Sequence, residues 1–203
     1  MQVENHKEEV PFAHYVQRFR EVSREDIRAR FPSHQWEGNE IYVNLLNRVF
    51  AISHPEYAIR AEDGGPIPPL PTQTFILRYL LESRSVDWKL EWKTFREMPW
   101  GEMYIKPYTG RVLTRAAFTF GPRLEAFKAA CEKMGAIKLI HGDASYQFRI
   151  IGRYMMRIII WQGDDEFPHT AQIQYSDNCA EAFAAEDRVV AGDILISTIK
   201  ANM

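Results

Sequence analysis

Hydrophobic positions along the chain change their spacing several times, and each spacing predicts a type of element. Apolar residues at helical spacing predict helices over about 9–22, 72–84, 122–134 and 186–199, with a short extra helix after Ser23. Alternating or continuous apolar runs predict β-strands. These strands cover residues 36–46, 49–53, 57–60, 136–140, 145–151, 154–161 and 171–175.

This order of elements predicts an α+β fold, a single domain with helices packed on an antiparallel sheet. The centre of the sheet is expected at Tyr154–Trp161, flanked by Ser145–Ile151 and Ala171–Tyr175. The domain is expected to span 1–203, or to carry residues 1–34 as an N-terminal helical extension. Thr72 is expected to cap the helix over 72–84.

The stretch from Ile158 to His169 organises these predictions. An apolar run ends in Trp161 and is followed by three acids, Phe167, a proline and a histidine. Because unpaired carboxylates cannot be buried, the chain is expected to leave the core after Trp161. Trp161 and Phe167 are expected to be buried, so that Trp161→Ala would cost about 3–5 kcal/mol. The alternative is an ordinary solvated turn at a strand end.

Large rings crowd residues 88–104 without a clean period. We expect this segment to fold over one end of the sheet and to meet the turns at His141–Asp143 and Asp164–His169 in one cleft. The alternatives are a rim of core aromatics or a dimer contact. The side chains predicted to bind a ligand there are Trp92, Phe95, Trp100, Tyr104, His141 and Asp143.

Composition excludes several classes of function. The chain has 203 residues, a net charge of −2 and no block of basic residues, so nucleic-acid binding is not expected. No apolar run is long enough for a membrane span. Cys131 and Cys179 are far apart and form no Cys-x-x-Cys pair, which favours a reducing, cytoplasmic location. Residues 1–9 are polar and unlike a signal peptide.

A set of short motifs resembles one prokaryotic family, the domain-of-unknown-function family numbered 3786. Its most specific part is Trp161-x-Gly163-Asp164-x-Glu166-Phe167-Pro168. The other motifs are Phe95-Arg96-Glu97 with Pro99 and Gly101, Gly121, Gly142-Asp143 with Tyr146 and Phe148, and Glu186-Asp187. The resemblance covers roughly residues 10–197 and implies a place in anaerobic or one-carbon metabolism, near corrinoid enzymes or iron–sulfur modules. This chain carries Ser176 where the family pattern has Asp, with Asp177 adjacent.

Three kinds of chemistry remain open, and the sequence implies no particular cofactor. Asp164, Glu166 and His169 form a candidate site for Mg, Mn, Fe or Zn, although no established metal spacing is present. Glu97, Glu166, His141 and His169 are candidates for acid–base catalysis. A binding accessory protein for a small molecule, a cofactor or a partner protein, with a homodimer as one arrangement, is the first hypothesis. A metal-assisted or acid–base enzyme using Asp164–His169 is the alternative.

Overall fold

The computed structural model describes residues 6–203, so the first five residues of the polar N-terminus lie outside the described chain. The chain divides into two compact units, residues 1–86 and 87–203. Helices combine with antiparallel strands in both units, which confirms the α+β class. That residues 1–203 form a single domain stays a prediction. In the described range, no helix is both long and apolar enough to cross a membrane.

The first unit is a pair of helices, a four-stranded antiparallel meander and a third helix. Its elements are α1 (Glu9–Glu21), α2 (Arg24–Arg30), β1 (Trp36–Glu37), β2 (Glu40–Leu45), β3 (Arg48–Ser53), β4 (Ile59–Ala61) and α3 (Leu70–Glu82). The Ser23 hydroxyl caps α2 by accepting the Asp26 N–H at 3.1 Å, as its sequence pattern predicts. The prediction for Thr72 was wrong, because α3 begins at Leu70 with Pro71 in its first turn, where a missing N–H costs nothing.

The second unit contains five strands and most of the helices. Its elements are β5 (Trp92–Thr94), α4 (Gly101–Tyr108), α5 (Arg115–Phe120), α6 (Leu124–Lys133), β6 (Ile137–Lys138), β7 (Ala144–Ile151), β8 (Tyr154–Trp161), β9 (Thr170–Ser176), α7 (Cys179–Ala182) and α8 (Ala185–Ala201). The strand order is β6-β7-β8-β9-β5 with every neighbouring pair antiparallel. The predicted central strand and its two flanking strands are confirmed.

Helices α4 and α5 are continuous through a π-helical segment, Thr109–Thr114, and the hydrophobic pattern does not predict them. A π turn inserts an extra residue, so the side chains after it are rotated relative to those before it. One 3.6-residue period therefore cannot describe both halves. Pro107 inside α4 adds a second signal against a helix.

One face of the sheet in the second unit is apolar and buried against helices. The Phe127 ring of α6 meets Tyr146 of β7 at 5.7 Å between centroids. The hydroxyls of Tyr108 in α4 and Tyr175 in β9 are 3.1 Å apart. Burial raises the pKa of both phenols, so they remain neutral hydrogen-bonding groups. The buried residues of this face are Tyr146, Phe148, Tyr154, Met156, Ile158, Ile160, Ile173 and Tyr175.

Arg188 in the first turn of α8 is 1% exposed, and its guanidinium is only partly satisfied. Nη2 donates to the Pro99 carbonyl, while Nε and Nη1 have no acceptor among the described residues. Burial lowers the pKa of this guanidinium. A buried charge with unpaired donors stabilises a fold poorly.

We therefore expect Arg188→Met to leave the free energy of unfolding unchanged or to raise it by up to about 2 kcal/mol. Methionine retains much of the side-chain volume and removes the unpaired donors. Urea denaturation at pH 7 measures the difference. A loss above about 1 kcal/mol would show that the guanidinium is well compensated in the native state.

Candidate functional site

The other face of this sheet carries several polar residues around the buried Ile159, and they converge because antiparallel partners point to the same side. Gln147 of β7, Arg157 of β8 and Gln174 of β9 are consecutive cross-strand partners. Gln172 lies two residues before Gln174 on β9 and therefore points to the same face. All four side chains are half-buried. We call the surface formed by these four residues and Trp92 the glutamine face.

Arg157 is the centre of the glutamine face. Its guanidinium carbon lies 3.7 Å from the centroid of the Trp92 ring, and its Nε donates to the Gln147 side-chain oxygen at 3.3 Å. Within residues 6–203, no carboxylate forms an ion pair with Arg157. Partial burial lowers the pKa of the guanidinium, although it remains charged at neutral pH. The Nη groups therefore present donors to the surface without an internal counter-ion.

Trp92 is held in place by the chain that precedes it. The buried Asp177 carboxylate accepts the backbone N–H groups of Lys89 and Glu91 at 3.2 and 3.3 Å. The Trp88 indole donates to the Glu91 carbonyl and meets Trp92 edge to face at 5.2 Å. This arrangement fixes the ring that stacks on Arg157 before any ligand arrives.

At the far end of β8 a turn from His141 to Asp143 contacts the strand. The Asp143 N–H donates to the Ile160 carbonyl at 3.0 Å, and the Asp143 carboxylate accepts the Gln162 N–H at 2.8 Å. Gly142 has a positive φ of 59°, and a Cβ there would come within 2.8 Å of the Ile160 carbonyl oxygen. Only glycine fits this close approach. The turn is thereby bonded to Gln162, two residues before the acidic loop Asp164–His169.

The acidic loop Asp164–His169 is held by its own hydrogen bonds. Asp164 Oδ1 accepts the N–H groups of Glu166 and Phe167 at 2.9 and 2.8 Å, and these bonds lower its pKa. The His169 ring accepts the Gly163 N–H through Nδ1 at 2.7 Å. It also packs on Gly121, where an added Cβ would come within 2.5 Å of the ring.

Within the described residues, no three His, Cys, Asp or Glu side chains are arranged to hold a metal ion. Asp164, Glu166 and His169 thus do not form such a group. Glu166 is exposed and has no side-chain partner in that range. Acid–base catalysis by this loop stays a prediction.

The expectation that Trp161 and Phe167 are buried was wrong. Trp161 is 38% exposed and Phe167 is 68% exposed. Trp161 is the last residue of β8 and points to the polar side of the sheet, opposite Thr170. Phe167 sits in a loop whose shape is fixed by Asp164 rather than by an apolar anchor. Trp161→Ala should therefore cost well below the value for a core residue.

The aromatic segment 88–104 is divided between core and surface. Phe95 is buried and stacks on Tyr108, whereas Trp100 and Tyr104 are exposed. Trp100 has a left-handed backbone, φ 64°, at the start of α4. The Glu97 carboxylate accepts the N–H and hydroxyl of Thr94 at 2.7 Å, which lowers its pKa, the opposite of what a general acid needs.

Trp92 and the acidic loop lie at opposite ends of β9. Trp92 pairs with Ser176, whereas His169 directly precedes Thr170 at the start of the strand. A rise of about 3.3 Å per residue separates these two ends by roughly 20 Å. The single cleft predicted to join the aromatic segment, with Trp100 and Tyr104, to the two strand-end turns stays a prediction. The ligand contacts assigned to Phe95 and His141 also stay predictions.

Sequence reasoning missed Arg157 and the three glutamines as a site. The sequence feature that could have found the glutamines is that each alternates with apolar residues, as in Gln172-Ile173-Gln174. Such alternation identifies a half-exposed strand. No local sequence pattern predicts the contact of Arg157 with Trp92, because only the register of β8, β9 and β5 brings these two residues together.

The fold and its surface thus define an α+β protein with an arginine-centred polar face on an antiparallel sheet. The chain belongs to the family described as Domain of unknown function (DUF3786), whose model matches residues 25–198. The family expected from the short motifs is confirmed. Searches of curated proteins and of solved structures found no match.

Proposed function

We propose that this protein is a binding module that holds a small molecule bearing an oxyanion on its glutamine face. The observation that carries the proposal is Arg157, a half-buried guanidinium stacked on Trp92 without a carboxylate partner among the described residues. Carboxylates and phosphates accept from a guanidinium in planar, often bidentate geometry. The partial burial of Arg157 strengthens such a bond by reducing its competition with water.

The neighbours of Arg157 define what else the ligand carries. The side-chain amides of Gln172 and Gln174 each offer donors and an acceptor, so they suit hydroxyl, amide or further carboxylate groups. The Trp88–Trp92 pair offers apolar ring surface beside the guanidinium. A flat organic body with at least one carboxylate or phosphate fits the guanidinium, the amides and the rings together.

In a cell, such a module would serve as an accessory protein rather than as a catalyst by itself. Part of the proposal is a role in anaerobic or one-carbon metabolism, as the resemblance of the short motifs implies, and it makes tetrapyrroles, corrinoids and nucleotides the first ligands to test. A cytoplasmic location is part of this proposal, and so is a small molecule as the primary partner.

The test is a thermal-shift screen of the full chain with protoporphyrin, cobalamin, ATP, benzoate and inorganic phosphate. A ligand at 100 times its dissociation constant stabilises the native state by about 2.7 kcal/mol. Arg157→Met should abolish the shift. Arg149→Met is the matched control, because Arg149 is an exposed arginine on the same face and should leave the shift unchanged.

Two outcomes contradict the proposal. One is that none of the five compounds stabilises the wild-type chain. The other is that a compound stabilises wild type and Arg157→Met equally, which would place its site elsewhere.

A further inference from the structure

A second surface of the same unit combines exposed apolar side chains with acidic ones. Ile140 is 97% exposed, and Trp161 and Phe167 are also exposed. Exposed large apolar side chains are ordinary singly, but a group at one place marks an interaction site. We call these three residues the apolar end.

Backbone contacts bring the segments that carry Ile140, Trp161 and Phe167 to the same end of β8. A Cβ added to Gly142 would lie 3.3 Å from the Trp161 ring, which places the turn that follows Ile140 against that ring. Phe167 closes the turn that begins at Asp164, three residues after Trp161.

The charge of the apolar end is negative. The loop contributes Asp165 and Glu166, both exposed and without a side-chain partner among the described residues, and the neighbouring turn contributes Asp143. Residues 140–143 and 161–169 contain no Lys or Arg. Paired apolar and acidic groups complement a segment that is both apolar and cationic.

We propose that the apolar end is a docking site for a cationic amphipathic segment of another protein. Charge selects this occupant. Nucleic acids and anionic membranes are polyanions, so the acidic loop repels them. A second copy of the chain in a two-fold contact would set one acidic loop against the other, because such an interface uses the same patch twice.

The loop is also shaped for binding before the partner arrives. The Asp164 carboxylate and the His169 ring accept backbone N–H groups of this segment, and these hydrogen bonds hold its backbone. Docking therefore orders few additional groups. A preorganised surface binds more tightly for the same contacts. This inference is independent of the ligand proposed for the glutamine face.

The experiment is isothermal titration of the full chain with a synthetic Lys/Leu amphipathic helical peptide, with a Glu/Leu peptide of the same spacing as the comparison. We expect saturable binding of the Lys/Leu peptide only, weakening steeply between low and physiological salt. The double variant Asp165→Lys with Glu166→Lys should weaken binding at least tenfold, and so should Phe167→Ser. Arg157→Met should leave peptide binding unchanged.

Matched controls separate a specific site from general surface charge. Glu181→Lys changes an exposed acid elsewhere, and Met103→Ser changes an exposed apolar residue of α4. Both should bind the Lys/Leu peptide as wild type does. The proposal is overturned if the peptide does not bind saturably, if the controls lose as much affinity as the loop variants, or if the Glu/Leu peptide binds equally well. Self-association of the chain that Phe167→Ser abolishes would overturn it in favour of a second copy.

Discussion

Phe95→Ala is expected to lower the free energy of unfolding by about 3–5 kcal/mol, the usual cost of removing a buried phenylalanine ring. Phe95 is 1% exposed and stacks on Tyr108 with 3.9 Å between centroids and 5° between planes. The guanidinium carbon of the buried Arg188, which belongs to α8, lies 5.7 Å from the centroid of the Phe95 ring. The substitution therefore opens a cavity where β5, α4 and α8 meet.

The same substitution at Phe167 is the matched control. Because Phe167 is mostly exposed, Phe167→Ala should change stability by no more than about 0.5 kcal/mol. Urea denaturation followed by tryptophan fluorescence measures both variants, since all five Trp remain. Equal losses in the two variants would mean that the acidic loop is anchored by its phenylalanine, contrary to the structure.

Gly101→Ala is expected to cost about 3 kcal/mol, at the upper end of the range for overpacking. A Cβ at this position would overlap the carbonyl oxygen of Phe95, and the nearest atoms are all backbone. Backbone cannot rotate away as a side chain can. The capping box of Thr94 and Glu97 further fixes the turn from which that carbonyl projects.

Gly110→Ala provides the comparison within the same helical stretch. Apart from its two chain neighbours and the backbone of its own helix, no heavy atom lies within 4 Å of the added Cβ, and Gly110 has no positive φ. Alanine there should leave stability unchanged or raise it by about 0.5–1 kcal/mol, because glycine loses more backbone entropy on folding. A loss at Gly110 as large as that at Gly101 would show that the helix tolerates no change at either site.

The sheet could be predicted from sequence because each strand carries its own evidence. Runs such as Ile158–Ile160 and alternation such as Ala171–Tyr175 report burial residue by residue. The α4–α5 helix could not, because its π segment breaks the period and Pro107 resembles a stop. The predicted burial of Trp161 and Phe167 was wrong for a different reason, because the exposure of a single side chain depends on neighbours that are distant in the chain.

The site was predictable only in its local parts. The turns at Asp143 and Asp164 follow from short glycine and aspartate signals, and the structure bonds Asp143 to Gln162. The stacking of Trp92 on Arg157 requires knowledge of two strand registers, which pair Trp92 with Ser176 and Arg157 with Gln174. No spacing in the sequence encodes that meeting.

The most direct test of the binding module is a ¹H–¹⁵N NMR titration of the full 23.7 kDa chain with benzoate, the simplest planar aromatic carboxylate. The proposal predicts shifts concentrated at the Arg157 Nε–H, the side-chain amides of Gln147 and Gln174, and the Trp92 indole. It also predicts that these shifts vanish in Arg157→Met and persist in Arg149→Met. Shifts confined to other residues, or identical shifts in Arg157→Met, would contradict the assignment of the glutamine face as the binding site.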